Sequence, residues 1–298
     1  MSFSRLISFI MMMAVGLSVD LAASPIQVVT ITEDFASIAT SIGGELIEVR
    51  SLIKGSRNLH TIHPKPSMVL AVRKADLLIR LGMDQDGWID GLTQVARNTA
   101  VLKGKPGHLD CSDKITKLEV PKGTIDKGHG DVHIHGNPHY WLDPKNGIII
   151  AKQIKERLCV IDPKNKVFYT RNYQQFSRSL NKRIEKWQSQ LESMSDTAFI
   201  TYHKVWSYFF DGFGLTSMGE LEPLPGIPPT TKHLAKLKQA VSSRSTFVLT
   251  ASYCPEYVGK SFAKEIGARY KKLPANVGEM GIESYHDLFE FILKELKK

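Results

Sequence analysis

Four histidines fall between positions 129 and 139: His129, His133 and His135 in the run Gly128–Gly136, then His139 in Asn137-Pro138-His139-Tyr140-Trp141-Leu142-Asp143-Pro144. Neutral imidazole is a common ligand for transition metals, and a Gly-rich run cannot build a core that would explain this density by packing. His139 has the stiffer setting. Pro138 precedes it, and Asp143-Pro144 is a helix-start signal, with Asp as N-cap and Pro in the first helical position. Two more histidines share that kind of context. His60 follows a predicted strand and turn, and His203 ends a predicted strand over 198–201. In open α/β sheets, ligands bind beyond the carboxyl ends of the strands. His60 and His139 from one lobe and His203 from another therefore make a three-nitrogen site. Such a site suits Zn²⁺, at Zn–N of about 2.0–2.1 Å in tetrahedral geometry; Mn²⁺ would favour more carboxylate. A three-histidine zinc site could also hydrolyse, but a hydrolase needs a general base beside the metal-bound water. The chain has no His-Glu-x-x-His run, and no carboxylate adjoins the three histidines in sequence. The chemistry expected is binding, not catalysis.

The elements that must hold these residues alternate. Strands are predicted over 26–32, 45–53 and 77–81, with helices over 35–42 and from a Ser67 cap to Lys74. After a helix from Pro144 to about Leu158, the rhythm resumes with strands over 198–201, 216–221, 246–250 and 269–273 and helices between them. This implies parallel α/β sheets. Positions 104–136, rich in Gly, Lys, Asp and His, read as a long surface loop. Between the two halves Tyr169, Tyr173, Phe176, Leu180, Ile184, Trp187, Leu191 and Met194 recur at three- and four-residue steps, one apolar stripe on a long helix. At 1.5 Å per residue, about 30 residues span roughly 45 Å, the width of two small lobes side by side. The expected organisation is a leader over 1–24, a first metal-binding lobe over 25–161, a connecting helix over 162–196 and a second metal-binding lobe over 197–298. The expected fold class is α/β: two lobes, each a mostly parallel sheet flanked by helices, bridged by one long helix, with the metal site in the cleft between them.

The leader sets the compartment. Arg5 precedes the apolar run 6–19, and Ala22, Ala23 and Ser24 follow, the pattern of a cleaved secretory signal. A periplasmic protein is expected, without a lipid anchor, since no cysteine lies near the cleavage region. Cys111, Cys159 and Cys254 permit one disulfide and a leftover thiol in an oxidising compartment. The formal charge of +9 is spread along the chain without a dense basic block, and export argues further against nucleic acid as a partner.

The segments around the three histidines resemble one family, the metal-specific substrate-binding proteins of bacterial ABC transporters (ZnuA/TroA-like). His60 with Pro66-Ser67 and Ala75-Asp76-Leu77 resembles its first ligand segment. The segment 137–144 is similar to its Asp-Pro-His-x-Trp-Leu-Asp-Pro motif, and His203 with Tyr208-Phe209 and Gly214-Leu215 resembles its third. The loop 222–229 and the long helix match as well. The resemblance implies a monomer that captures a metal ion in the inter-lobe cleft and delivers it to a permease in the inner membrane. It also implies zinc, because histidine at the third position and a histidine-rich loop go with zinc members and glutamate with manganese members. The alternatives are the same fold serving Mn²⁺ or Fe²⁺, or a metal-binding adhesin outside transport. The family's fourth ligand, a carboxylate, is missing at 250–252 and at 273–276. Glu222, at the end of a second-lobe strand, is the candidate for that place, with water or another residue as the alternatives. His129, His133 and His135 are expected to form a second, weaker zinc site on the loop.

Overall fold

The computed structural model describes residues 24–55, 57–122, 133–241 and 244–298, with the His60 side chain outside the description. The expected leader, apart from Ser24, and His129 also lie outside the described residues.

Each half builds a four-stranded, all-parallel sheet. The first holds β1 (Ile26–Thr30), β2 (Ile47–Ser51), β3 (Leu77–Arg80) and β4 (His108–Asp110) in the order β2-β1-β3-β4. The second holds β5 (Ala198–Thr201), β6 (Thr216–Glu220), β7 (Thr246–Ala251) and β8 (Arg269–Leu273) in the order β6-β5-β7-β8. The strand order is the same in both, a topological repeat with no counterpart in the residues. β3, β5 and β7 are buried along their whole length. That is why they read as unbroken apolar runs rather than alternating ones, as parallel strands covered on both faces do. β4 lies inside the stretch 104–136 expected to be loop. Its three residues are too few to carry a pattern, and its pairing with β3 supplies the hydrogen bonds that propensity alone does not.

The helices are α1 (Glu33–Gly43), α2 (Pro66–Arg73), α3 (Trp88–Ala96), α4 (Pro144–Ile161), α5 (Lys166–Leu191), α6 (Ser207–Phe213), α7 (Thr231–Ala240), α8 (Glu256–Ile266) and α9 (Tyr285–Lys297). Asp143 caps α4 by accepting from the Lys145 amide at 2.8 Å, with Pro144 at its first position, as the Asp-Pro signal predicts. Ser67 does not cap α2. Pro66 opens that helix, which moves the cap position to Lys65. α5 turns its stripe of Tyr169, Phe176, Leu180, Ile184, Trp187 and Leu191 inward, and short 3₁₀ turns flank it at Pro163–Asn165 and Glu192–Met194.

That stripe does more than connect. One continuous apolar core runs from β1 and β3 through α4, α5 and α9 to Phe199 of β5 and Phe247 of β7. A smaller cluster, with Ile200, Val248 and Phe262, fills the other face of the second sheet. Cys111, Cys159 and Cys254 are all free thiols, so the disulfide permitted by their number is not formed. Among the described residues no helix is long and apolar enough to cross a membrane.

Candidate metal centre

His139 is fixed from both sides along the chain. Gly136, at φ 101°, turns the backbone in a conformation that glycine accepts readily, and a Cβ there would lie 2.6 Å from the Leu118 carbonyl oxygen. Tyr140 donates its hydroxyl to the Leu81 carbonyl at 2.6 Å, which seats the segment over the carboxyl end of β3. Trp141 donates its indole N–H to the Ala275 carbonyl at 2.9 Å and lies with its ring centroid 5.5 Å from that of His139. His203 leaves the end of β5. Its ring meets that of His139 edge-on, with centroids 5.8 Å apart and planes at 79°. Two imidazoles on one tetrahedral zinc have centroids roughly 5 Å apart, from the bond length and ring size. The two histidines, 3% and 8% exposed, thus stand close to the separation a shared metal requires.

The Nδ1 atom of each ring is engaged. Asn137 Oδ1 accepts from both the His139 amide and His139 Nδ1, each at 2.9 Å. The other end of the same amide donates to Glu119 Oε2 at 2.9 Å, the Lys204 carbonyl at 2.8 Å and Ser207 Oγ at 3.2 Å, across to the segment that carries His203. Glu222 Oε2 lies 2.7 Å from His203 Nδ1 and also accepts from the Gly226 amide at 3.2 Å. An acceptor at Nδ1 places the proton there and leaves Nε2 as the basic nitrogen, the second-layer arrangement of metal-bound histidines. Asn137 holds the His139 ring in this candidate centre, a contact that the histidine pattern did not reveal. The signal available was its two-residue offset from His139, the reach of an Asx turn.

A cleft of about 170 Å³ opens over these rings, lined by Glu119, His133, His139, His203, Glu220 and Glu222 among others. Lys204 pairs with Glu119 at 3.3 Å. Burial raises the pKa of the Glu220 carboxyl, and the nearby Lys204 opposes that shift. Three carboxyl groups and three imidazoles line the cleft with Lys204 beside them, a donor set that suits a cation.

His60 lies in the 3₁₀ turn Leu59–Thr61. Among the described residues, which exclude its side chain, no three His, Cys, Asp or Glu groups assemble into a metal cluster. The loop histidines divide. His133 lines the same cleft as His139 and His203, whereas His135 Nε2 lies 3.2 Å from Asp84 Oδ2.

The chain belongs to the family of the periplasmic component A of zinc-uptake complexes (ZnuA), whose model matches residues 28–298. It is thus a metal-binding, extracytoplasmic substrate-binding protein of an ABC transporter, with a membrane permease as partner, and not an enzyme. It is similar to the manganese ABC transporter substrate-binding lipoprotein PsaA of Streptococcus pneumoniae, 26% identical over 292 residues, 94% of this chain and 91% of that one. It is 27% identical to the iron ABC transporter substrate-binding lipoprotein MtsA of Streptococcus pyogenes serotype M1 over 195 residues, 64% of this chain and 60% of the relative. A crystal structure of a ZnuA superposes with a TM-score of 0.76 at 21% identity, covering 91% of this chain and 98% of that chain. This last likeness supports the two-lobed fold.

Proposed function

We propose that this protein captures Zn²⁺ through His60, His139 and His203, after export and removal of the leader 1–24, and hands it to the permease. The observation that carries this reading is the pair of imidazoles from opposite lobes, each with Nδ1 held by its own oxygen acceptor. All-imidazole coordination suits zinc better than manganese. Glu222 is read as the carboxylate that orients His203, in place of the direct ligand its strand-end position suggested. One carboxylate oxygen is committed to His203 Nδ1 and the Gly226 amide. The fourth position then falls to water or to a neighbouring group such as His133, which lines the cleft. His129 and His135 serve a weaker capture site on the loop. Manganese or iron is the second reading, supported by the names of the relatives PsaA and MtsA and by the three carboxylates of the cleft.

A competition titration with Zn²⁺, Mn²⁺ and Fe²⁺, with elemental analysis of the exported protein, tests the reading. Tight binding of one Zn²⁺, abolished or strongly weakened by alanine at His60, His139 or His203, is the expected result. Unchanged tight binding in His203→Ala contradicts the site, and preference for Mn²⁺ over Zn²⁺ contradicts the cargo.

A further inference from the structure

The loop after β8, Ala275–Val277, is gripped from both lobes by buried carboxyl groups that play no part in the metal centre described above. Asp34, on the first turn of α1, has no exposed surface, and its Oδ1 accepts from the Val277 amide at 2.9 Å. Its Oδ2 is buried with no hydrogen-bond partner among the described residues. Glu279 is 2% exposed. Its Oε2 accepts from the Ala275 amide at 3.2 Å and from the Ser252 hydroxyl, and its Oε1 accepts from Asn276 Nδ2 at 2.9 Å. The carbonyl of the same Ala275 receives the indole N–H of Trp141, whose ring lies against His139.

We propose that Asp34 and Glu279 are positioning residues that clamp this loop between the lobes, with one proton held on Asp34, and thereby fix Trp141 and the His139 ring. The inference rests on His139 being a metal ligand. Two ionised carboxylates buried around one short loop would repel each other, and unpaired buried charge is costly. The arrangement resolves this by dividing the roles. Burial raises the Glu279 carboxyl too, but its three neutral donors, the Ser252 hydroxyl, the Asn276 side chain and the Ala275 amide, oppose that shift and favour the charge on this side of the pair. Asp34 stays neutral, and its carbonyl-type oxygen receives the Val277 amide. Burial first, and then the charge of Glu279, push the Asp34 carboxyl up to about 8, against the opposing Val277 hydrogen bond. Two other titratable groups face this region. Tyr285 of α9 donates its hydroxyl to the Trp141 carbonyl at 2.5 Å, and Glu33, the residue before Asp34, accepts at Oε2 from the Gly55 amide at 2.7 Å.

The sign of the pH effect follows. An ordinary aspartate in the unfolded chain titrates near 3.9. The folded state therefore holds a proton that the unfolded state has lost between about pH 4 and 8, and Asp34 makes stability fall as pH rises through that window. Asp34→Asn keeps the acceptor oxygen and cannot ionise. The test measures thermal unfolding of the metal-free full chain from pH 5 to 9, and Zn²⁺ affinity by chelator competition at pH 7.5. The difference in Tm between Asp34→Asn and the parent should grow in favour of the variant by several degrees from pH 5 to 8, then level off. Zinc affinity should stay within about threefold in Asp34→Asn and fall about tenfold or more in Asp34→Ala and Glu279→Ala, the usual scale for groups that orient a metal ligand. A Tm difference independent of pH overturns the protonated clamp, even if the alanine variants fail to fold. Parent-like zinc affinity in Glu279→Ala overturns the positioning role. Parent-like affinity in His139→Ala shows that the reading of the metal centre has failed, and the Tm difference then judges the clamp alone.

Discussion

At the scale of residues, the centre is a set of oriented imidazoles more than a set of histidines. Glu222 illustrates what sequence could and could not show. Its place at the end of a second-sheet strand was legible. Its proximity to His203 depends on the β5–β6 pairing, where the Glu222 amide donates to the Tyr202 carbonyl at 3.1 Å, and that register contains an irregularity after Phe199. No pattern in the chain announces that irregularity. Glu222→Gln should keep the fold and lose about 10- to 100-fold in zinc affinity, the typical cost of disturbing such a partner. X-ray absorption of the zinc-loaded parent and variant should show the same first coordination layer. Loss of an oxygen at about 2.0–2.2 Å in the variant would return Glu222 to direct ligation.

At the scale of elements, the strongest signals were also the most faithful. The Asp143-Pro144 start of α4 and the apolar stripe of α5 needed only local information, and both are present. α3 and β4 were not visible in the pattern. β4 is three residues long and α3 has a glycine at its centre, so both depend on packing against neighbours. Removing 123–132 should abolish weak, superstoichiometric zinc binding and spare the tight site, because His133, Asn137 and His139 lie beyond the deletion. Equilibrium dialysis with increasing Zn²⁺ measures both populations. Loss of tight binding would show that the deleted stretch supplies the main ligand set. Leu180→Ala, in the buried stripe of α5, should cost about 2–5 kcal/mol of stability in a denaturant titration.

At the scale of the whole molecule, the lobes are joined through apolar packing as well as through one helix. A wide hinge motion would pull apart a core that runs from β1 to Phe199 and Phe247. Metal binding should therefore move loops and side chains and leave the lobes nearly in place. Small-angle scattering profiles with and without Zn²⁺ should superimpose at low angle, and calorimetry should give a single cooperative transition. Two separated transitions would show that the lobes unfold independently. Zinc must also displace protons from imidazoles whose ordinary pKa is about 6.5, so affinity should fall steeply below about pH 6. Constant affinity from pH 7 to 5 would contradict coordination by histidine.

The contacts of Asn137 bear on chemical ageing. Its side-chain amide joins His139 to the segment after His203, and only an amide offers both the acceptor and the donors that this takes. Conversion of asparagine to aspartate proceeds when the next residue's backbone nitrogen attacks the side-chain carbonyl to close a succinimide ring. Here the next residue is Pro138, whose nitrogen carries no hydrogen to lose. The proline that stiffens the loop therefore also closes off the main route by which this amide would decay. The contact that orients the His139 ring is thereby kept from that route of decay.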